Sequence, residues 1–230
     1  MAEPRSDLER RARSYAALGD PGRLSVVDAL ALGDLSPSDL ARRLGIASNL
    51  LAHHLRVLED AGLVSRAKSE GDRRRSYVRL HAEHPALATL APALDDDLRG
   101  RRRVVFVCTQ NSARSQLAAS AWRHVSPVPA TSAGTRPAAR VHPGALGAAE
   151  RHGLDLADAE TRHVDDVLER HDLVVAVCDQ VHEALGPGAR LHWSVPDPVR
   201  SGTPGDFEAA YDDLTHRVGR LAAGLRPEPV

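Results

Sequence analysis

The chain has 230 residues, 42% hydrophobic and only 3% aromatic, with a formal net charge of −1. That length suits one large domain or two small ones, and the scarcity of aromatics leaves Leu, Val and Ala to build the cores. A near-zero charge does not announce nucleic-acid binding, two cysteines are too few for a disulfide framework, and no apolar run reaches membrane-spanning length.

The charge is unevenly spread. Up to Arg103 there are 18 basic and 15 acidic residues, and after it 12 and 16. The first twenty residues, MAEPRSDLERRARSYAALGD, lack the apolar stretch of a signal peptide. A cytoplasmic protein with no membrane partner is expected. In that reducing setting Cys108 and Cys178 are either buried filler or chemistry.

Residues 5–98 read as short helices followed by a hairpin. Leu24, Val27, Leu30 and Leu32 form a helical stripe. LSPSDLARRLG opens with Ser36 as N-cap, Pro37 at the first helical position and Asp39 near the third, and Gly45 stops the helix. In IASNLLAHHLRVLEDAGLV, Ser48 is the expected N-cap, Leu51, Leu55 and Leu58 mark the buried face, and Gly62 ends the helix. Two short helices with a brief turn between them make a helix-turn-helix. LVSRAKSEGDRRRSYVRL then reads as a β-hairpin, with Val64, Tyr77, Val78 and Leu80 as strand residues and Glu70–Asp72 as the turn. Arg66, Lys68, Arg73, Arg74 and Arg75 gather towards its tip. Alone, RRR is a solvated turn; behind a helix-turn-helix it is a wing placed to meet phosphates.

From Arg103 the pattern changes. RVVFVC, VPATSAG, DLVVAVCD and ARLHWSV are buried-type strands. Helices are expected between them at Ser115–His124, Gly144–His152 and Val181–Leu185, with Asp206–Leu225 closing the chain. Such alternation predicts an α/β domain with a four-stranded parallel sheet. The expected organisation is therefore multidomain: a mostly α winged helix-turn-helix at 1–98, a short linker at 99–102, and the α/β domain at 103–230.

The chemistry concentrates in VVFVCTQNSARSQLAAS, where Cys108 stands between a strand and a helix. A loop between the carboxyl end of a parallel strand and a helix N-terminus is an anion site, because its N–H groups lack intrahelical partners and the helix dipole favours negative charge. The same field favours a thiolate. Arg114 closes the loop with a forked donor suited to a tetrahedral oxyanion. The oxyanion would be cradled by Thr109, Gln110, Asn111, Ser112, Ala113, Arg114 and Ser115. Asn111 tolerates the left-handed turn that such a loop needs, and the Ser112 and Ser115 hydroxyls are expected near the sulfur. The alternative is a buried structural cysteine at a strand end. In HWSVPDPVR, Asp197 between two prolines is a candidate acid for a leaving group; the plainer reading is a turn aspartate.

Residues 103–225 resemble the low-molecular-weight tyrosine-phosphatase fold, and more narrowly its arsenate-reductase branch. The resemblance rests on CTQNSARSQ, TSAGT, RHGLDL, TRHVDDV, the third strand running to Cys178, and HWSVPDP. Phosphatases of this fold follow their DP with aromatics that hold a phenol ring, where this chain has Val199 and Arg200. A small inorganic oxyanion, arsenate or phosphate, is the implied ligand. The resemblance also implies a mechanism. Cys108 attacks arsenate, Asp197 helps water leave, and a second thiol, Cys178, releases arsenite and leaves a disulfide. A Val181–Gly188 segment punctuated by Gly186 and Gly188 is expected to open cheaply for that step. Thioredoxin-linked relatives carry a third cysteine where this chain has Leu185, so the reductant could be a thioredoxin, glutaredoxin or mycothiol system. No bound cofactor is implied. No metal is expected, since the carboxylate that supports a potassium site in some relatives falls on Ala119.

Residues 8–92 resemble the ArsR family of winged-helix repressors, through ALGDPGRLSVVDAL, DLARRLGIASNLLAHHLRVLEDAGLV and the basic wing. This implies a homodimer formed by the first and last helices, Arg10–Leu18 and Ala82–Leu98, on a DNA operator. Ser48, Asn49, His53 and Arg56 are the implied base-reading residues, Arg73, Arg74 and Arg75 the phosphate contacts, and His54 a structural residue. Arsenite-sensing members carry cysteines where this domain has none. His81, Glu83 and His84 lack a clear metal-ligand set and read as a solvated helix entry. The combined reading is a DNA-binding regulator fused to a thiol-dependent arsenate reductase. Its rivals are a phosphatase that does not use Cys178 and a non-catalytic repressor that senses oxyanion or oxidation.

Overall fold

The computed structural model describes residues 4–88, 98 and 101–225. The chain forms two compact units, Met1–Ser69 with Arg73–Ala93 and Glu70–Asp72 with Leu94–Val230.

The first unit is helical. It contains α1 (Pro4–Leu18), α2 (Pro21–Leu30), α3 (Pro37–Leu44) and α4 (Ser48–Asp60), then a hairpin of β1 (Val64–Lys68) and β2 (Ser76–Leu80). Helix α3 begins as its sequence dictates. Ser36 Oγ accepts from Asp39 N at 3.1 Å, Pro37 occupies the first helical position, and Gly45 ends the helix at φ 65°. Helix α4 departs from expectation: Ala47 takes the extended N-cap position without a side-chain bond, and Ser48 is already helical. The core collects Val26, Val27 and Leu30 of α2, Leu40 of α3, and Leu51, Leu55 and Leu58 of α4 under Leu63 and Val78. Leu24 and Leu32 of the expected stripe are only half-buried, and Val26 takes the inward place. The hairpin pairs Val64 with Leu80 and Lys68 with Ser76 in antiparallel register. The expected last helix, Ala82–Leu98, lies largely outside the described residues; its described start is a turn and one 3-10 turn, Pro85–Leu87.

The second unit is a three-layer α/β fold. Its elements are β3 (Arg103–Cys108), α5 (Arg114–Val125), β4 (Ala130–Gly134), α6 (Pro143–Arg151), β5 (Asp172–Ala176), α7 (Asp179–Leu185), β6 (Leu191–His192) and α8 (Pro204–Leu225). The four strands are parallel, in the order β4-β3-β5-β6. Val104, Val105, Phe106 and Val107 are fully buried, as a strand covered on both faces must be. The chain leaves β3 for one side of the sheet and later returns to its other side. The carboxyl end of β3 is therefore a topological switch point, where a crevice opens.

Two departures from the sequence reading concern this unit. Its core is not purely aliphatic: Phe106 packs against Trp122 and Trp193 at ring-centroid distances of 6.0 and 5.6 Å. The fourth strand has only two residues. Beyond His192 the chain folds back, with Val195 N donating to Trp193 O at 2.9 Å, and Pro196 and Pro198 have no N–H with which to pair. At the other end of the sheet Arg103 grips Asp172 with two hydrogen bonds, 2.9 and 2.7 Å, and so locks β3 to β5. Among the described residues no helix is long and apolar enough to cross a membrane.

Candidate active site

Cys108 ends β3 at the switch point, and the loop from Thr109 to Ala113 carries the chain into α5. Asn111 is the one described non-glycine residue with positive φ, 51°. Its side chain is held on two sides: Oδ1 accepts from Arg162 N at 2.8 Å and Nδ2 donates to Ser115 Oγ at 2.9 Å. Gln116 Nε2 donates to Asn111 O at 3.1 Å and to Glu160 O at 2.9 Å. A left-handed residue costs energy, and these bonds hold it in place.

The loop's carbonyls are drawn outward by the segment after β4. Thr135 N, Arg136 N, Ala138 N and His142 N donate to the carbonyls of Cys108, Thr109, Gln110 and Ser112, at 3.3, 2.8, 2.9 and 2.8 Å. In a trans peptide the N–H points opposite to its C=O. Each outward carbonyl thus turns the next residue's N–H inward, and Asn111 N does donate to Cys108 Sγ at 3.2 Å. Ser115 Oγ lies 3.1 Å from the same sulfur. Gly134 makes the packing possible: a Cβ there would sit 2.8 Å from Asn111 N and 2.9 Å from Thr109 O. The sequence reading assigned no role to Gly134, to the 135–142 strap, to Gln116 or to the Arg162 amide. Each acts across a long sequence separation, which spacing arguments do not reach.

Arg114 is buried. Its Nη1 donates to Val195 O at 2.9 Å and its Nη2 stands 3.2 Å from Asp197 Oδ2. Burial works against its charge, but Cys178, Cys108 and Asp197 outweigh that, so its pKa lies above the ordinary arginine value. Its Nε is buried without a hydrogen-bond partner in the protein; an anion's oxygen would satisfy it. A small pocket is lined by Cys108, Gln110, Ser112, Ala113, Arg114, Asp197 and Val199. Cys108, Arg114 and Asp197 are therefore together. Asp197 Oδ1 also accepts from Val199 N at 3.2 Å, which orients the carboxyl group towards the guanidinium.

Other expected contacts differ. Ser112 Oγ turns to Gln110 Oε1, 3.5 Å away, rather than to the sulfur. Thr109 donates its hydroxyl to Gln180 Oε1 at 3.0 Å and lies 3.7 Å from Cys178 Sγ, so its own part in the cradle is the backbone amide. Cys178 is the N-cap of α7 and is buried. It follows Val177, whose N donates to Val107 O at 2.9 Å, so it lies beside the end of β3. Burial pushes its thiol up, and Cys108 adds to that against the opposing pull of Arg114. Cys178 is therefore a neutral thiol at rest.

In the first unit Ser48, Asn49, His53 and Arg56 are all exposed along α4, and Arg73, Arg74 and Arg75 are exposed on the hairpin loop. His54 is buried, with Nδ1 3.8 Å from Asp20 Oδ1. Arg66 belongs to the protein's own fold, its Nε 2.6 Å from Glu59 Oε1. His84 caps the 3-10 turn, its Nδ1 accepting from Ala86 N at 3.1 Å.

Comparison with known proteins divides the chain in the same sense. Residues 103–229 match the family model described as low molecular weight phosphotyrosine protein phosphatase, and residues 20–66 match that described as bacterial regulatory protein, arsR family. An arsenate reductase of Brevibacillus brevis is 29% identical over 139 residues, covering 54% of this chain and 97% of that protein. One of Bacillus anthracis is 30% identical over 134 residues, with the same coverage. Among solved structures, an arsenate reductase from Archaeoglobus fulgidus is 29% identical with a TM-score of 0.46, covering 52% of this chain and 98% of that one.

Proposed function

The chain belongs to the low molecular weight phosphotyrosine protein phosphatase family and carries an ArsR-family helix-turn-helix ahead of that domain, and on that premise we propose that it reduces arsenate to arsenite by a two-thiol mechanism. The fold family carries phosphatase or arsenate-reductase activity; the reductase reading is favoured by one observation, the buried second thiol of Cys178 beside the nucleophile loop, 3.7 Å from Thr109 Oγ1. Phosphatase chemistry needs a nucleophile, an anion cradle and an acid, with water finishing the reaction. Reduction of arsenic needs two electrons, which two thiols supply.

The Cys108 thiolate attacks arsenic while the loop amides and Arg114 hold the equatorial oxygens. Asp197 gives its proton to the departing oxygen, which leaves as water. Cys178, as thiolate, then attacks Cys108 sulfur. An S–S bond forms, the S–As bond breaks, and its electron pair stays on arsenic, which departs as arsenite. The protein is left as a Cys108–Cys178 disulfide, which an external thioredoxin, glutaredoxin or mycothiol system reduces. Val199 in the pocket lining offers no aromatic wall for a phenol ring, which favours a small oxyanion. The helix-turn-helix unit binds operator DNA through α4 and the wing, as a dimer in which α1 takes part.

The test is arsenate turnover by the purified full chain with the three reductant systems in parallel, beside Cys178→Ser. The variant is expected to keep phosphate-protected alkylation of Cys108 and any aryl-phosphate hydrolysis, and to lose arsenate turnover with thioredoxin. A parent that hydrolyses aryl phosphate and reduces no arsenate under any reductant makes the protein a phosphatase.

A further inference from the structure

The residue that carries the second thiol is anchored by a buried hydrogen-bonded pair outside the oxyanion pocket. Asp179, first residue of α7, directly follows Cys178. His192 Nε2, at the end of β6, stands 2.9 Å from Asp179 Oδ1, and the two side chains are 1% and 2% exposed. Burial pushes the Asp179 carboxyl up, but the His192 hydrogen bond, the Glu70 amide that donates to Oδ2 at 2.8 Å and Ser194 together outweigh it and hold the pKa below the usual carboxylate value. Asp179 is therefore a carboxylate. The His192 ring is stacked on that of His182, on the same short helix, with centroids 4.2 Å apart and planes 8° apart. Gln180, next along, receives the Thr109 hydroxyl at 3.0 Å.

The first turn of α7 is thus tied on one side to the nucleophile loop and on the other to β6. The Val181–Gly188 segment expected to open overlaps only the end of this turn. Between Asp179 and Gly188, Gln180, Ala184, Pro187 and Gly188 are exposed, whereas Asp179 and Val181 are buried. A buried carboxylate with its imidazole partner brings a desolvation cost that apolar residues of like size would avoid. Its retention beside the thiol calls for a function.

We propose that the Asp179–His192 pair is a positioning device for the second thiol, fixing the first turn of α7 so that Cys178 is presented to Cys108 across the β3–β5 edge. The inference rests on Cys178 being the thiol that attacks Cys108. Neither residue lines the oxyanion pocket, so the pair acts on disulfide closure and not on oxyanion binding. Arsenate is the oxidant: the S–S bond forms as the S–As bond breaks, arsenic takes the electron pair, and the Cys178 proton goes to solvent. A misplacement of about 1 Å in such a step costs on the order of 100-fold.

The test is a single turnover of the full chain with arsenate and no reductant, quenched by alkylation, with the Cys108–Cys178 disulfide counted by mass spectrometry. His192→Leu and Asp179→Asn are expected to slow closure by about tenfold or more. Phosphate protection of Cys108 against alkylation should remain parental. His192→Gln, which keeps an Nε2 donor, should close at close to the parental rate, a rescue that a merely space-filling role would not give. Closure at the parental rate in folded His192→Leu overturns the proposal. So does His192→Gln closing as slowly as His192→Leu, or a loss of phosphate protection alongside slow closure. If Asp179→Asn does not fold, the Leu–Gln pair at His192 still decides. A parent that forms no disulfide removes the reading of Cys178 itself, and the proposal with it; a parent that forms it alongside variants that match its rate removes the positioning role alone.

Discussion

The two units put their working residues in opposite places. In the first, the residues read as DNA contacts, Asn49, His53, Arg56 and Arg73–Arg75, are exposed, and the core of Leu40, Leu51, Leu55 and Leu58 lies elsewhere. In the second, Cys108, Asn111, Arg114, Ser115 and Cys178 are themselves buried. A binding face can therefore change without touching the fold that presents it. An active site built from buried groups cannot, because the bonds that shape it also hold the chain together.

The sharpest way to break that contrast is Gly134→Ala. The added Cβ would fall within 3 Å of the Asn111 amide and the Thr109 carbonyl, both backbone atoms that cannot swing aside. The loop must shift, and with it the amides around Cys108 Sγ. Turnover is expected to fall by more than about 100-fold, with loss of phosphate protection of Cys108, and with a lower melting temperature as well. Retained turnover would mean that the cradle tolerates movement and that its burial is not what shapes it.

Asp172→Asn sharpens the same point away from the pocket. The bidentate Arg103–Asp172 pair joins the two central strands, and the carboxyl is held below its usual pKa by Arg103 and the Glu169 amide, against the raising effect of burial. Breaking it should cost about 2 kcal/mol, less than a fully buried pair because Arg103 is partly exposed and also meets Glu169. A depressed carboxyl stabilises the fold fully above its unfolded pKa of about 3.9, and that stabilisation is lost as pH falls through the folded value. Urea midpoints measured from pH 7 down to pH 3 should therefore fall in the parent and fall less in the variant. Parallel curves would show that the pair contributes nothing to acid stability.

Much of this was legible in the sequence, and what was not has a common cause. Cys108, Arg114 and the switch-point loop follow from local spacing: one strand, one loop, one helix. Asp197 follows from its flanking prolines. The Ser36–Pro37–Asp39 start and the Gly45 stop are local chemistry too. What sequence reasoning missed lies in contacts between distant segments: the 135–142 strap on the loop carbonyls, Arg162 N on Asn111, the steric need for Gly134, and Asp179 with His192. The Phe106–Trp122–Trp193 cluster was hidden for the same reason, since composition counts aromatics but does not say that three of them meet.

On the exposed side the expected effects are smaller and confined to binding. Neutralising Arg73, Arg74 and Arg75 together should weaken binding to any duplex by about tenfold or more at low salt. It should also reduce the slope of log affinity against log salt by up to about 3, near one unit for each phosphate that no longer meets an arginine. Arg56→Ala should instead act mainly on the preferred sequence. Neither change should move the melting temperature measurably, because exposed positions of this kind contribute little to folding. A flat salt response in the triple variant would remove the wing from the interface.

Ser36→Ala is the mildest change and tests the separation of the two units from the side of stability. Ser36 Oγ accepts from the Asp39 amide at 3.1 Å and lies 2.5 Å from Asp39 Oδ2, so the side chain satisfies one of the unpaired N–H groups at the start of α3. Removing such a cap costs about 1 kcal/mol. Helix α3 has eight residues and buries Leu40 alone fully, so little else compensates. Thermal unfolding followed at the N-terminal unit should therefore shift down by several degrees, as about 1 kcal/mol does in a domain of under 100 residues. Arsenate turnover at a temperature below both transitions should stay at the parental value, since no atom of the Cys108 loop depends on that cap. A loss of turnover that follows removal of the cap would show that folding of the two units is energetically coupled, and the contrast between an exposed and a buried site would then be one of placement and not of independence.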